Sequence, residues 1–196
     1  MESNLPLQRK WVLWEQWDQN KQSSTQQFTD TMQPIGEFDN LHSFWQHWNY
    51  LPHAKPTDLF TNPVTKTKVI IEPLKKNIEA IGVFESGIQP AWEDPSNAEG
   101  SDLTIRRKFE FESLNHFWDR FVFAVIGETF PFSEEVTGCR IVEKVNGIYK
   151  FELWLKFNAS DQRFTEKTKE LKEQMINLVF SNFSINDITV NSHRSR

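Results

Sequence analysis

The sequence of 196 residues has little cysteine, no excess of positive charge and no long apolar run. Its single cysteine, Cys139, excludes an intrachain disulfide and a cysteine-based metal site, which fits a cytosolic or nuclear setting. The formal net charge of −5 excludes a protein that holds nucleic acid by bulk positive charge, so any phosphate contact must come from a local cluster. The longest apolar stretch, 121–127, is far shorter than the ~20 residues of a membrane span. Residues 1–11 contain no apolar segment of a secretory signal. We therefore expect a cytoplasmic protein without membrane contact.

Aromatic residues are what the sequence has in abundance. It contains 8 Trp, 17 Phe and only 2 Tyr. Its mean hydropathy is −0.59, so large flat side chains are set into a sequence that is polar as a whole. At ~150 residues per domain the length predicts one domain, long enough to bury a real core.

Hydrophobic periodicity predicts strands separated by three amphipathic helices. The helices are expected at 41–50, from Ser113 to 127, and at 160–179, and the strands at 11–17, 80–84, 103–111, 138–145, 148–157 and 185–190. Residues 1–10 are expected to form a flexible arm, 52–80 a long insertion or loop, and 11–193 a single domain. We predict an α+β fold with one curved, mainly antiparallel sheet, helices on one face and the other face open for function.

The predicted strand 148–157 carries two contrasting faces. Tyr149, Phe151, Leu153, Leu155 and Phe157 form one face, which is expected to pack on the helices. The other face is formed by Ile148, Lys150, Glu152, Trp154 and Lys156. We interpret Trp154 as an accessible aromatic that contacts a ligand beside a phosphate-binding Lys150. The alternative is a partly exposed Trp that packs on lysine stems.

The loop 90–94 places an indole beside carboxylates. Trp92 is expected to be accessible there, because a loop cannot easily bury its backbone. An indole face attracts a flat cationic ring, and a neighbouring carboxylate accepts two N–H groups from the edge of that ring. 7-Methylguanine has both features. The alternative is a Trp-Pro turn with an acidic solvent face.

Several short motifs, in order and at matching spacing, resemble the translation initiation factor 4E family of messenger-RNA cap-binding proteins. They are Pro6-Leu7-Gln8 before Trp11-Val12-Leu13-Trp14, Phe38-Asp39 before Phe44-Trp45, Gly87 to Asp94 (GIQPAWED), Phe117-Trp118, Ile126 to Phe130 (IGETF), and the strand that ends at Trp154. The resemblance covers about Pro6 to His193. It implies a curved antiparallel sheet with three helices on its convex face and the cap in a concave slot. The long 52–80 insertion, together with a change in the pair of aromatic rings that holds the cap base, resembles divergent protist members of the family, such as a short trypanosomatid isoform of type five.

The resemblance implies roles for individual residues in cap binding. Trp92 is similar to one slice of the aromatic sandwich, and Glu93 to the carboxylate that reads guanine N1–H and N2–H. Trp154 is similar to the Trp beside the N7-methyl group, and Lys150 to a ligand of the cap phosphates. The other slice, usually Trp, falls on Phe28, with Trp17 as a rival.

A second phosphate ligand, usually Arg, corresponds to Lys144. A two-residue turn at Asn146-Gly147 would put Lys144 on the core side with Tyr149, whereas a three-residue loop from Asn146 to Ile148 would put it beside Lys150. We favour the longer loop. A family Arg that lies after the Trp92-Glu93-Asp94 motif is replaced by Asp102. Downstream of it, Arg106, Arg107 and Lys108 could contact the RNA backbone or simply form a solvated edge strand.

The convex face of the family binds an amphipathic helix from a scaffold of the initiation factor 4G type or from a repressor. The matching residues are Pro6, Leu7, Leu41, Trp45 and Phe123. Asp119 stands where the family has an apolar residue. Arg120 stands where it usually has an acid. We therefore predict that the protein binds a helix-donating partner with a different motif from the usual one, or binds the usual motif poorly.

No pattern in the sequence supports catalysis. Its acids, such as Glu93, Asp94 and Glu128, are not placed as a dyad, which argues against a glycan-processing enzyme with Trp platforms. A reader of methylated ammonium groups would use Trp92 and Trp154 in an aromatic cage but has no need for Lys150. We expect a non-enzymatic protein without cofactor or metal that binds capped mRNA and acts in translation initiation or its regulation.

Overall fold

The computed structural model describes residues 5–18, 31–62, 64–72, 75–144 and 147–195. Within these ranges there are seven strands and four α-helices. The strands are β1 (Pro6–Trp17), β2 (Met32–Asn40), β3 (Ile78–Glu85), β4 (Ser101–Lys108), β5 (Val136–Glu143), β6 (Ile148–Leu155) and β7 (Ile188–Ser192). The helices are α1 (Leu41–Tyr50), α2 (Pro56–Leu59), α3 (Phe111–Ile126) and α4 (Thr165–Leu178).

The strands form one open sheet in the order β2-β1-β3-β5-β6-β4-β7, and every neighbouring pair is antiparallel. The main core lies between one face of the sheet and the helices α1, α3 and α4. This confirms the predicted α+β fold with three principal helices on one face, to which the structure adds the single turn of α2. None of the helices within the described ranges is both long and apolar enough to span a membrane.

Helix α1 follows directly from its sequence. The Asn40 side chain accepts a hydrogen bond from the Ser43 backbone N–H at 2.8 Å, so it caps the helix. Phe44 and Trp48 are buried on one stripe. The predicted start of α3 at Ser113 is wrong: the helix begins at Phe111, and the Ser113 hydroxyl donates to the Glu110 carbonyl inside the first turn.

The predicted flexible arm, 1–10, is wrong for its second half, because β1 already begins at Pro6. Arg9 anchors this part of β1. Its guanidinium donates to the carboxylates of Glu128 and Glu85 and to the carbonyls of Ser133 and Val136, at 2.8–2.9 Å. These contacts tie the start of β1 to the end of β3 and to the segment that leads into β5.

The predicted insertion 52–80 contains more structure than a loop. A 3-10 turn, Pro52–Ala54, precedes α2, and β3 begins at Ile78. His53 is buried against Glu15 at 2.6 Å, and its carbonyl accepts the Trp118 indole N–H at 2.8 Å. The first part of the segment is therefore packed onto α3, and isolated bridges such as Thr61↔Lys68 organise the next part.

Candidate functional site

The two faces of β6 have different neighbours, as its alternation predicts. Phe151, Leu153 and Leu155 belong to the main core beneath the helices. Glu152 and Trp154 alternate with them and lie on the other side of the sheet, which we call the open face. The candidate site is built on the open face.

An aromatic cluster occupies part of the open face. Phe84, Ile88 and Trp154 are buried in it, and the half-buried Trp14 and Trp92 pack against them. The rings of Phe84 and Trp154 meet edge to face with centroids 5.4 Å apart. Gly138 makes room for Phe84, because a Cβ there would lie 2.6 Å from the ring.

The expected exposure of Trp154 is wrong: its side chain is fully buried. The His193 ring lies 4.6 Å from it, and the Arg140 guanidinium lies 5.0 Å from its ring centroid. Its indole N–H donates to Glu152 at 2.9 Å. Trp154 is covered because Phe84 of β3, Arg140 of β5 and His193 of the C-terminal segment converge on it, so it forms the floor of the site.

Charged side chains form a buried network beside this floor. Glu152 accepts a hydrogen bond from Arg140 Nε at 2.7 Å and lies 2.5 Å from Lys150 Nζ. Burial by itself raises the pKa of Glu152, but Arg140 and Lys150 outweigh that effect and hold the pKa below its ordinary value, against the opposing charge of Asp102. The Lys150 amine is therefore largely neutralised by the protein.

Asp102 extends the network across β4 to the C-terminal segment. The Asn191 amide donates to Asp102 at 2.7 Å, Thr104 donates to it as well, and His193 Nε2 lies 3.5 Å away. Burial raises the pKa of Asp102, but hydrogen bonds from His193, Thr104 and Asn191 and the charge of Lys150 prevail and lower it to about 2. Asp102 is thus ionised and structural.

The loop that carries Trp92 and Glu93 is held by its own polar residues. Asp94 accepts hydrogen bonds from the Gln89 and Ser96 backbone N–H groups at 2.9 Å. The buried Asn97 amide donates to the carbonyls of Gln89 and Ala91 at 2.9 and 3.1 Å. These bonds position Trp92 against the aromatic cluster and leave the adjacent Glu93 exposed.

Lys144 lies on the open face with Lys150, as predicted from the longer hairpin loop. The Lys144 N–H donates to the Ile148 carbonyl at 2.8 Å, and Val142 pairs with Lys150. Partial desolvation against the sheet lowers the pKa of the otherwise exposed Lys144. The nearby Lys150 lowers it further, while Glu152 opposes the shift.

The partner of Trp92 in the predicted sandwich cannot be located, because Phe28 lies outside the described residues. Its rival, Trp17, packs against the main core on the helix side. Trp14, three residues earlier on β1, is the residue of this strand that packs in the aromatic cluster. The bulge between Gln16 and Trp17 shifts the register at this point.

The helix face carries an exposed apolar patch formed by Leu41, Trp45 and Phe123, which are 36–43% exposed. The rings of Trp45 and Phe123 lie 5.6 Å apart, so the patch bridges α1 and α3. Pro6 is exposed beside β2, whereas Leu7 is partly buried against the core.

The two charged residues of α3 near this patch have partners within the protein. Asp119 accepts the Trp48 indole N–H at 3.0 Å, and partial burial raises the pKa of its carboxyl group against that hydrogen bond. Arg120 Nε donates to the Leu178 carbonyl, which is left unpaired by the end of α4, at 2.9 Å. Both side chains therefore contribute to helix packing.

Sequence reasoning missed the pair of Arg140 and Glu152. The signal was present for Arg140, since it alternates with Cys139 and Ile141 and must lie on the open face. Its partner could not be identified from spacing, because the register that joins β5 to β6 depends on the hairpin loop. No group of three or more His, Cys, Asp or Glu residues suited to a metal ion occurs in the described part of the chain.

Comparison with known proteins identifies relatives of the chain. It is 29% identical over 152 residues to eukaryotic translation initiation factor 4E of Eremothecium gossypii and 26% identical over 151 residues to that of Saccharomyces cerevisiae. Each match covers 77% of this chain and 62% of the relative, so the chain spans about three fifths of the length of these proteins.

Solved structures share the fold. The complex of C. elegans eIF4E-3 with the 4E-binding protein Mextli has a TM-score of 0.71 at 18% identity, covering 98% of this chain and 96% of that one. A second complex of the same protein, with Mextli and a cap analog, has a TM-score of 0.70 at 19% identity, covering 98% and 95%. The sequence model of the family described as Eukaryotic initiation factor 4E matches residues 6–195. The chain therefore belongs to the eukaryotic initiation factor 4E family.

Proposed function

We propose that this protein binds the 7-methylguanosine cap of messenger RNA without catalysis and acts in the cytoplasm as a translation initiation factor or as a regulator of cap-dependent translation. The observation that carries the proposal is the pairing of Trp92 with Glu93. The first packs in the aromatic cluster, and the second is exposed beside it without a described ion-pair partner. A cationic purine could stack on Trp92 while Glu93 accepts N–H groups from its edge.

The remaining cap contacts follow the family pattern with changes. We assign the second ring of the sandwich to Phe28, whose smaller face should hold the cation less strongly than Trp. Because Trp154 is buried beneath the aromatic cluster, we assign it a supporting role under the base-binding site rather than direct contact with the N7-methyl group. Lys144 is exposed and available to the cap phosphates, whereas Lys150 must share its charge with Glu152 and Asp102.

The helix face should bind a partner. The exposed patch of Leu41, Trp45 and Phe123 suits the apolar face of an amphipathic helix, from a scaffold of the initiation factor 4G type or another helix donor. A neighbouring fold has been solved with the 4E-binding protein Mextli. Because Asp119 and Arg120 are engaged inside the protein, we expect a partner motif that does not depend on a salt bridge at these positions.

The contacts of the candidate acids weigh against the alternative functions. Glu128 is held by Arg9, and Asp94 caps its own loop, so neither forms a dyad with Glu93 for glycoside chemistry. An aromatic cage for a methylated ammonium group would need Trp154 exposed beside Trp92, and Trp154 is buried.

Calorimetric titration with 7-methyl-GTP tests the proposal. Glu93→Gln should weaken binding by about tenfold or more, since a hydrogen bond to a charged group contributes ~1.5–3 kcal/mol. Glu99→Gln is the matched control, because Glu99 is also exposed on this loop. Phe28→Trp should tighten binding. Equal affinities for the wild type, Glu93→Gln and Glu99→Gln would contradict the assigned role of Glu93.

A further inference from the structure

Cationic side chains continue along the open face past the cap site. Antiparallel pairing places Arg106 opposite Lys150 and Lys108 opposite Ile148, and Lys144 lies opposite Ile148 on the other side of β6. Directly paired residues share a face of the sheet, so these cations lie on the same face as Trp154. We call Lys144, Lys150, Arg106 and Lys108 the basic rim.

The outer part of the basic rim carries charge that the protein leaves uncompensated. Arg106 and Lys108 are exposed, and no ion pair joins either to an acid within the described ranges. Lys150 differs, because Glu152 and Asp102 neutralise it. In a chain with a net charge of −5, the rim is a local positive cluster rather than part of a basic surface.

The rim also extends away from the base-binding end. Lys150 lies four residues from Trp154 on β6, and Ile148 six residues, which correspond to roughly 14 and 20 Å along a strand. Arg106 and Lys108, which pair with these two residues from β4, therefore lie at increasing distance from the aromatic cluster, in a line that a bound chain could follow.

A cleft of about 450 Å³ opens where this path ends. The described residues that line it include two lysines, one acid and three aromatic residues: Thr61, Lys66, Lys108, Phe109, Glu110, Phe111, Gly147 and Tyr149. Phe109 and Tyr149 belong to the main core, whereas Phe111 is half-buried and can offer a ring face beside the lysines. Lysines next to an accessible aromatic ring are typical of surfaces that hold single-stranded nucleic acid by phosphate contact and stacking.

We propose that the basic rim binds the RNA chain that follows the cap, with Arg106 and Lys108 on its backbone phosphates. This inference rests on the proposed cap function and deepens it by assigning the ligand beyond the first nucleotide. Arg107 supplies a control on the same strand. It points to the opposite face, and its guanidinium is paired with Asp187.

The test compares three ligands at several salt concentrations: 7-methyl-GTP, a capped unstructured RNA decamer and the same decamer without a cap. The wild type should bind the capped decamer more tightly than 7-methyl-GTP. The double variant Arg106→Gln/Lys108→Gln should lose about threefold or more of the affinity for the capped decamer, keep its affinity for 7-methyl-GTP, and show a salt slope lower by about 1.4. Arg107→Gln should behave as the wild type.

The outcomes separate the two proposals. If 7-methyl-GTP is not bound, the cap function fails, and the uncapped decamer at low salt still reports on the rim. An equal loss in the double variant and in Arg107→Gln, or no loss in either, would overturn the role of the rim. A double variant that loses 7-methyl-GTP as strongly as capped RNA would also overturn it, because Arg106 and Lys108 would then act on the cap itself.

Discussion

Replacing Glu152 by glutamine separates its structural role from its effect on phosphate binding. Glutamine keeps an oxygen that can accept from Arg140 Nε and the Trp154 indole, but it removes the charge that faces Lys150 at 2.5 Å. Breaking a buried ion pair by removing one partner costs ~3–5 kcal/mol. Because two hydrogen bonds can survive, we expect the free energy of unfolding to fall by ~2–3 kcal/mol.

Urea denaturation measures this loss. At a slope of ~2 kcal/mol per molar, the midpoint should fall by ~1–1.5 M with little change in slope. Glu173→Gln, on the exposed part of α4, is the control and should shift the midpoint only slightly. A variant as stable as the wild type would refute the account of Glu152 as the centre of the network.

The same variant should bind phosphates better. Once Glu152 is neutral, the charge of Lys150 is available to the ligand, and one additional net charge near the phosphates corresponds to roughly two- to fivefold in affinity. We expect tighter binding of 7-methyl-GTP, with a steeper salt dependence, and unchanged binding of 7-methylguanosine. Equal effects on both ligands would show that Glu152 acts on the base site instead.

Three further predictions concern other parts of the fold. The pKa of Asp102 is about 2, against an ordinary value of 3.8, so its charge contributes stability that is present above about pH 4 and is lost as the pH falls towards 2. In Asp102→Asn, the free energy of unfolding should therefore fall by about 2 kcal/mol less between pH 4 and pH 2 than in the wild type. An unchanged pH dependence in this range contradicts the prediction. Arg9→Ala should destabilise by ~2–4 kcal/mol in urea, because it removes four hydrogen bonds to two carboxylates and two carbonyls. Lys10→Ala breaks only an exposed ion pair and should have a much smaller effect. Trp45→Ala should abolish binding of a helix-donating partner with little loss of stability, because Trp45 is exposed. Trp48→Ala should instead lower the urea midpoint, because Trp48 is buried. Retained partner binding by Trp45→Ala would refute the assignment of the exposed patch as the partner site.

Regular patterns predicted the fold well, because they are local. The stripe of Phe44 and Trp48 with the Asn40 cap is sufficient to define α1, and alternation along 148–157 separates the two faces of β6. Strand β2 was missed because Pro34 and Gly36 interrupt it. Both residues are tolerated, since β2 is at the edge of the sheet.

The chemistry of the open face could be predicted only in part. The motif around Trp92 and Glu93 is continuous in sequence, so it could be recognised from the chain alone. The burial of Trp154 depends on Phe84, Arg140 and His193, which are distant in sequence and meet only through the strand order. Long-range registers of this kind leave no periodic signal.

The most direct test of cap recognition is the quenching of intrinsic tryptophan fluorescence by 7-methyl-GTP and by GTP, side by side. Trp92 packs at the surface of the aromatic cluster, so a purine stacked on it should reduce the emission. Quenching by 7-methyl-GTP should saturate at concentrations where GTP has little effect, because only the methylated ring is cationic. Equal affinity for the two nucleotides, or no quenching by either, would contradict it.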